Sequence, residues 1–508
     1  MDIVLTTFNA RYSHTAFGLR YLKVNLRDLE ERSRLLEFEL SSQPRRAAEL
    51  ILAENPRIVA MSVYIWNLEL CTATVQILKK VRPELPIVLG GPEVSYNAEN
   101  LPIVQLADYI TCGEGETVTY ELCRDILNDN PPTQKFLQKH VDLETLELPY
   151  RLYSDTDVQN RVLYCETTRG CPFQCEYCMS SIDNSVRYFD LDKLLPEFEN
   201  LIERGALHFK FVDRTFNLDL DHAEKVIRFF LERYRPGMML HFEMIPERLP
   251  ARLKALIEES PSAFYQFEIG IQTLNSDVAD RIKRPLNLEK IEQNMRWLST
   301  QKSVHMHADL IAGLPGEDLD SFAAGFDQLL KMGPEEIQLG ILKKLRGTGI
   351  ARHDHDWEMA YNPNPPYEIL QNKLIPFAEM QRIQRFARYW NLTVNNGNFP
   401  NSAPLIWKNN DSVFGAFMEY SDWLFETTQT TGGIALNRLT KLLFGYLKDV
   451  KGFPADQAAE SVARDWLRGK RSDLPPFLRP YKLNIAELQP QTRSDKTGLD
   501  RQQRHLDH

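Results

Sequence analysis

Short apolar runs alternate with amphipathic stretches along the first 130 positions. Ile3-Val4-Leu5, Leu35-Leu36-Glu37-Phe38, Ile58 to Val63, Ile87 to Gly91 and Tyr109 to Cys112 read as strands. Leu19 to Lys23, Ala47 to Ala53 and Ala73 to Lys80 carry helical spacing between them. Alternating short strands and helices predict βαβ units in a doubly wound, Rossmann-like parallel sheet over 1–130. Residues 131–160, with prolines at 131, 132 and 149, read as a linker. The alternation resumes over 161–345, with strands at Arg161 to Thr167, His208 to Val212, Met239 to Glu243, Tyr265 to Ile271, His305 to Ile311 and Glu336 to Ile341. Leu191 to Glu203 and His222 to Arg233 are among the helices between them. Residues 365–480 turn to helix-like spacing dense in aromatics such as Tyr389, Trp390, Phe417 and Trp423, which predicts a mostly helical domain. These aromatics suit either a cap over an active site or simply the domain's own core. Residues 488–508 are polar and charged, the composition of a disordered tail.

Ligands of parallel α/β sheets bind at the carboxyl ends of the strands. The loops there are Thr6 to Phe17, Tyr64 to Asn67, Gly91 to Ser95 and Gly113 to Glu116. Two of them bear glycines, in Gly90-Gly91-Pro92-Glu93 and Gly113-Glu114-Gly115-Glu116, where backbone can approach a ligand closely or merely turn.

Composition narrows the class. A chain of 508 residues with 26% charged and 43% hydrophobic residues is an ordinary large globular protein. A net charge of −10 leaves nucleic acid not indicated as a partner. Seven cysteines, three of them in one motif, argue against a disulfide framework and for a reducing compartment, the cytoplasm by default. The N-terminus lacks a basic region followed by an apolar core, so no signal peptide is expected. No apolar run is long enough to span a membrane.

The decisive stretch is Cys171-Pro172-Phe173-Gln174-Cys175-Glu176-Tyr177-Cys178, directly behind the strand-like Val162-Leu163-Tyr164. Three thiolates from one tight loop can converge on one cluster, and iron–sulfur clusters usually take four. A set of three leaves one iron open for chemistry. Together with Cys165 the three could instead close a structural zinc site, although such sites usually bring two C-x₂-C pairs and only one is present. The run RGCPFQCEYC resembles the signature of the radical SAM superfamily. That resemblance implies that Cys171, Cys175 and Cys178 bind a [4Fe-4S] cluster whose fourth iron takes S-adenosylmethionine, within a partial (β/α)₆ barrel over 161–345. Cys165 lies outside the pattern and reads as a buried strand thiol. Cys71, Cys112 and Cys123 are scattered and make no second cluster motif.

The first quarter resembles the cobalamin-binding domain found ahead of many radical SAM enzymes, through TTFNARYSHTAFGLRYL, GGPEVS and CGEGE. The resemblance implies cobalamin contacts from Tyr12, His14, Tyr64, Trp66, Gly90, Gly91, Pro92, Glu93, Gly113, Glu114 and Gly115. The cobalt-ligating pattern D-x-H-x-x-G is missing: His14 has no Asp two residues earlier and an extra residue before Gly18. His14 therefore reads as a loop or corrin-contact residue. For S-adenosylmethionine the resemblance points to Asp213 and Arg214 after the second strand and to Glu268 and Gln272 on the fourth. It adds Leu310, Ile311, Gly313 and Pro315 at the GLPGE turn. In the fourth strand, alternation puts Glu268, Gly270 and Gln272 on one face. His305 and His307 share a strand face that is either a metal pair or, more simply, half exposed.

The family chemistry is reductive cleavage of S-adenosylmethionine followed by hydrogen abstraction from an unactivated carbon. A cobalamin domain implies methyl transfer to that carbon; a radical rearrangement or cyclisation without methyl transfer, or a non-catalytic cobalamin sensor, are the alternatives. The implied partners are a small-molecule or peptide substrate and a one-electron reductant such as flavodoxin or ferredoxin. No residue is assigned a catalytic role, and no motif names the substrate.

Overall fold

The computed structural model describes residues 1–468, 471, 473–481 and 483–488. The tail expected at 488–508 lies outside the described residues apart from Leu488. The chain forms two compact units. One comprises 1–243, 343–352 and 362–368, the other 244–342, 353–361 and the remainder from 369.

The first unit opens with strands β1 (Ile3–Asn9), β2 (Ser33–Glu39), β3 (Ile58–Ser62), β4 (Ile87–Gly90), β5 (Tyr109–Thr111) and β6 (Phe136–Leu137). They form a parallel sheet in the order β2-β1-β3-β4-β5-β6. Helices α1 (Phe17–Val24), α2 (Pro44–Ala53), α3 (Leu68–Val81), α4 (Pro92–Ser95), α5 (Pro102–Leu106) and α6 (Glu116–Leu127) connect the strands. Alternation along the strands builds two cores. Val4, Val59, Met61, Ile87 and Leu89 pack with Ile51 of α2 and Val75 of α3. Ile3, Leu5, Ile58 and Val88 pack with Leu19 of α1 and Leu122 of α6. Both faces are thus covered, which is why these strands read as unbroken apolar runs. The order reverses between β1 and β3, and a crevice opens at such a switch point.

The segment read as a linker departs from expectation, because β6 lies within it and joins the sheet through Ile110↔Phe136 and Thr111↔Leu137. A two-residue edge strand is held by backbone ladder bonds alone and leaves no apolar period to detect. After it, α7 (Asp155–Asn160) starts on a capping box between Ser154 and Asp157.

The unit continues with β7 (Leu163–Cys165), then a short antiparallel pair, β8 (Thr168–Arg169) and β9 (Arg187–Tyr188). Beyond α8 (Leu191–Glu203), β10 (His208–Phe211) runs parallel between β7 and β11 (Met239–Glu243), with α9 (Leu220–Glu232) as the crossover. The second unit holds β12 (Tyr265–Gln272), β13 (Val304–Ala312) and β14 (Glu336–Ile341), parallel with β13 in the middle. Helices α10 (Ala251–Glu259), α11 (Ser276–Arg281), α12 (Leu288–Leu298) and α13 (Leu319–Lys331) accompany them. All six strands expected over 161–345 are present, three in each unit.

Helices α14 (Phe377–Trp390), α15 (Val413–Thr428), α16 (Leu436–Gly445) and α17 (Ala455–Arg468) follow. Phe386, Trp390, Phe414 and Phe417 interlock with Phe326 of α13 at centroid distances of 4.6–5.8 Å. All five are buried. The aromatic density is therefore this unit's core, the simpler of the two sequence readings. Among the described residues no helix is long and apolar enough to cross a membrane.

One buried acid makes this unit pH-sensitive. Glu317, 2% exposed, accepts a hydrogen bond from Thr273 Oγ1 at 2.6 Å, yet burial pushes its pKa up to about 7. A raised carboxyl favours the protonated folded state, so its contribution is complete below the ordinary value of 4.5 and lost as pH rises through about 7. Glu317→Gln is expected to flatten that part of the pH profile, worth about 3 kcal/mol. Thermal midpoints of both proteins at pH 5 and pH 8 check it; equal pH dependence would refute it.

Candidate functional site

A cavity of about 960 Å³ opens in the first unit at the carboxyl ends of the sheet strands. Tyr64 after β3, Gly90, Gly91 and Pro92 after β4, and Gly113 to Glu116 after β5 line one side, with Phe17, Gly18 and Tyr21 from the first helix. Gln138, Lys139 and His140 after β6 add a stretch that sequence reasoning missed, because it lay in the presumed linker. The glycines are sterically required. Gly91 has φ +102°, and a Cβ there would meet Val63 O at 2.5 Å. A Cβ on Gly90 would meet Thr111 Oγ1 at 2.7 Å. Only bare backbone passes here, so peptide groups themselves form the wall. The volume is at the upper end for ligand sites, and bare backbone at Gly90 and Gly91 leaves room for a large flat macrocycle such as a corrin.

Of the expected cobalamin residues, Tyr64, Gly90, Gly91, Pro92, Gly113, Glu114 and Gly115 line this cavity. Tyr12, His14, Trp66 and Glu93 do not, and each is engaged elsewhere. Glu93 is buried, with its carboxylate 2.9 Å from Arg346 Nε and accepting from Tyr367 Oη at 2.7 Å. The His14 ring bonds Tyr164 Oη, and burial, with Lys210 and Arg11 nearby, lowers its pKa. Tyr12 lies under the Arg161 guanidinium, 4.5 Å from ring centroid to carbon. Trp66 stacks on Tyr64 at 4.4 Å and donates from Nε1 to Phe8 O.

The opposite wall carries Glu166, Thr168, Arg169, Gly170, Met179, Ser180, Ile182 and Arg214. The three-cysteine loop is the chain between Gly170 and Met179, an excursion closed at its base by the β8–β9 pair. Gly170 has φ +92°, and a Cβ there would sit 1.7 Å from Ser185 O, so no other residue fits. Cys171 and Cys175 are buried and Cys178 is half-buried. The Cys178 amide donates to Cys175 O at 3.1 Å, and Cys178 O accepts from Ser181, which turns the loop back on itself. Three soft thiols on one glycine-hinged turn suit an iron–sulfur cluster. Among the described residues no group of three or more His, Cys, Asp and Glu is arranged to hold a single metal ion. Cys165, fully buried in β7, has its thiol pushed up by burial.

A buried ion network joins the two walls. Arg169 Nη2 lies 2.7 Å from Glu116 and 2.8 Å from Glu166, while Nη1 reaches Glu114 at 3.3 Å. Arg187 meets the same Glu114 at 2.6 Å and donates to Val141 O. The Arg169 guanidinium also packs over Tyr21 at 4.9 Å. Burial works against its charge, but Glu166 and Glu116 hold it protonated. In the sequence Arg169 is visible only as part of the Arg169-Gly170 pair before Cys171; of its three carboxylate partners, Glu114 and Glu116 lie more than fifty positions away.

The residues expected at S-adenosylmethionine divide. Arg214 lines the cavity and pairs with Glu243 at 2.8 Å. Asp213 does not: it is 1% exposed and accepts from Thr167 N, Thr167 Oγ1 and Thr168 Oγ1 at 2.6–3.1 Å. It is a clamp between the β10 end and β8, with both oxygens engaged. In the second unit, Glu268, Gly270 and Gln272 lie on the half-buried face of β12, as alternation predicts. His307, Asp309 and Ile311 continue that face on β13. Leu310 points the other way, buried with Met306, Ala308 and Ala312, since neighbours in a strand take opposite faces. Gly313 and Pro315 are buried too: a Cβ on Gly313 would meet Ile369 at 2.6 Å, and Pro315 O accepts from Arg281. His305 is 3% exposed and pairs with Glu336 at 3.2 Å, which replaces the half-exposed reading. His307 pairs with Asp309 at 3.3 Å.

Comparison with known proteins agrees with this arrangement. The B12 binding domain matches residues 3–122, the Radical SAM superfamily 165–329, and a protein family of unknown function, DUF4080, 355–503. The 2-(S-pantetheinyl)-carbapenam-3-carboxylate methyltransferase of Streptantibioticus cattleyicolor is 24% identical over 58% of this chain and 50% of its own length. The cobalamin-dependent radical SAM methyltransferase TokK of Streptomyces tokunonensis is 25% identical over 57% and 47%. The chain thus spans about half the length of these curated relatives. Among solved structures, the radical S-adenosylmethionine methyltransferase TsrM from Kitasatospora setae has a TM-score of 0.55 at 16% identity, covering 68% of this chain and 74% of that one, a likeness of fold. By these matches the chain carries a B12 binding domain followed by a radical SAM domain.

Proposed function

We propose that the protein is a cobalamin-dependent radical SAM methyltransferase. The observation that carries this is one cavity with two unlike walls: glycine-lined strand ends on one side and, on the other, the residues that flank the three-cysteine loop. Cys171, Cys175 and Cys178 would hold a [4Fe-4S] cluster; Tyr64, Gly90, Gly91, Gly113 and Gly115 would hold cobalamin. Glu268, Gln272 and Ile311, on the half-buried strand faces of the second unit, are the proposed contacts of S-adenosylmethionine. When bound, the cluster supplies the electron that cleaves S-adenosylmethionine and cobalamin supplies the methyl group.

The protein's own part is placement. Arg169 fixes the first residues of the cysteine loop against the turn after β5, and bare backbone at Gly90 and Gly91 admits a ring that side chains would exclude. Glu268 offers an acceptor for hydroxyl groups. One relative is named as a methyltransferase of a pantetheinyl carbapenam carboxylate, which supports a small molecule as the proposed substrate class. A flavodoxin or ferredoxin is the proposed electron donor. Seven free thiols fit work in the reducing cytoplasm.

Protein purified without oxygen from cobalamin-fed cells is expected to carry about four irons and one corrinoid per chain. Turnover should yield both 5′-deoxyadenosine and S-adenosylhomocysteine. Deoxyadenosine alone would mean a rearrangement without methyl transfer; neither product would end the enzymatic reading. Replacing Cys171, Cys175 or Cys178 by Ala should remove the iron and leave the corrinoid, measured on the same samples; full iron in any variant would exclude that ligand. Arg169→Gln leaves Glu116 and Glu166 buried without a counter-charge and should cost about 3–5 kcal/mol in denaturant unfolding. A loss under 1 kcal/mol would show that the network relaxes into water.

A further inference from the structure

The segment from Arg346 to Arg352 lies far along the chain yet belongs to the compact unit that holds the cavity. Its two ends grip the two cofactor loops. Arg346 Nε meets Glu93 at 2.9 Å, and Nη1 donates to Asn97 O, both in the loop after β4. Arg352 Nε lies 2.7 Å from Glu176 Oε2, a carboxylate 4% exposed. Glu176 stands between Cys175 and Cys178. Between the arginines the backbone runs flush against both walls. A Cβ on Gly347, at φ +78°, would strike Tyr96 at 2.7 Å and come within 3.1 Å of Ile182, and both of those line the cavity. A Cβ on Gly349 would touch Glu176 at 3.4 Å.

We propose that this segment is a strap that sets the positions of the two loops, with Arg352 placing the cysteine loop through Glu176 and Arg346 placing the corrin loop through Glu93. Both arginines are positioning residues. The proposal rests on the cysteine loop being the cluster loop. Its physical basis is the burial of Glu176: the cation 2.7 Å away offsets the cost of that buried charge and fixes the direction of the side chain that stands between two ligands. Arg352 itself is half exposed, so it can be exchanged without opening a core.

The test uses the full chain, reconstituted anaerobically, and reads iron content and the electron paramagnetic resonance of the dithionite-reduced cluster. Arg352→Gln and Glu176→Gln should both keep about four irons and show the same shifted g-values. The double variant should show no further shift, and Arg352→Lys should stay with the wild type. Wild-type g-values in Arg352→Gln at full iron, or additive shifts in the double variant, would overturn the strap. If Arg352→Gln does not fold, the nearly isosteric Glu176→Gln decides alone, by shifted or unshifted g-values. A wild-type protein without iron would instead refute the cluster reading on which the strap rests. In the other half, Arg346→Gln should weaken hydroxocobalamin binding tenfold or more with the cluster signal unmoved; unchanged affinity would overturn that half.

Discussion

Arg169 is the charge around which the first unit is assembled. It immediately precedes the Gly170 hinge of the cysteine loop, and it is held by carboxylates from its own strand end and from the turn after β5. A guanidinium this deeply buried is tolerable only while those acids surround it, and they in turn only while it is there. The five donors of the fork fix direction as well as distance, which a lysine could not do. Glu114 is shared with Arg187, across the β8–β9 base of the loop. One network thereby ties the first residue of the loop, its closing strand and a cavity-lining turn into a single geometry.

Steric demands complete what the charges begin. Gly91 and Gly170 both need positive φ, but for different reasons. At Gly91 the obstacle is the Val63 carbonyl of the neighbouring strand, so the cavity wall is as thin as a chain can be. At Gly170 the obstacle is Ser185 O, so the loop's two arms pass at backbone contact. Both are exchanges of conformational entropy for close approach.

What could be read without coordinates follows from how local each signal is. Strands β1, β3 and β4 declare themselves because burial on both faces leaves only apolar residues. The cysteine loop declares itself because its three donors lie within eight positions. The polar face of β12 follows from a period of two, and on β13 the same period turns Leu310 to the buried side, away from Ile311. The engagement of Glu93 and Asp213 away from the cavity is a signal of another kind. Their partners, Arg346 and the Thr167–Thr168 pair, lie 253 and about 45 positions away, and nothing near either acid hints that it is engaged. The aromatics of α14 and α15 were ambiguous in principle, because a core and a cap have the same composition; only their mutual packing decides for the core.

Those engagements also explain the character of the cavity. Glu93 is held by Arg346, Glu176 by Arg352, Glu116 and Glu166 by Arg169, and Asp213 by two threonines. The buried acids around the site are thus neutralised by the fold itself. What these pairings leave along the strand ends is backbone at Gly90, Gly91, Gly113 and Gly115, with the Tyr64 ring beside it. Peptide N–H and C=O groups pair best with ligands that carry neutral donors and acceptors, and a corrin rim bearing amide side chains is a ligand of that kind. At the turn after β4 a nucleotide phosphate would ask instead for a long helix N-terminus, and the helix that follows Gly91, Pro92–Ser95, is a single turn with Glu93 in it. At that turn the glycines therefore offer bare backbone to a large neutral ring rather than a cradle to a phosphate.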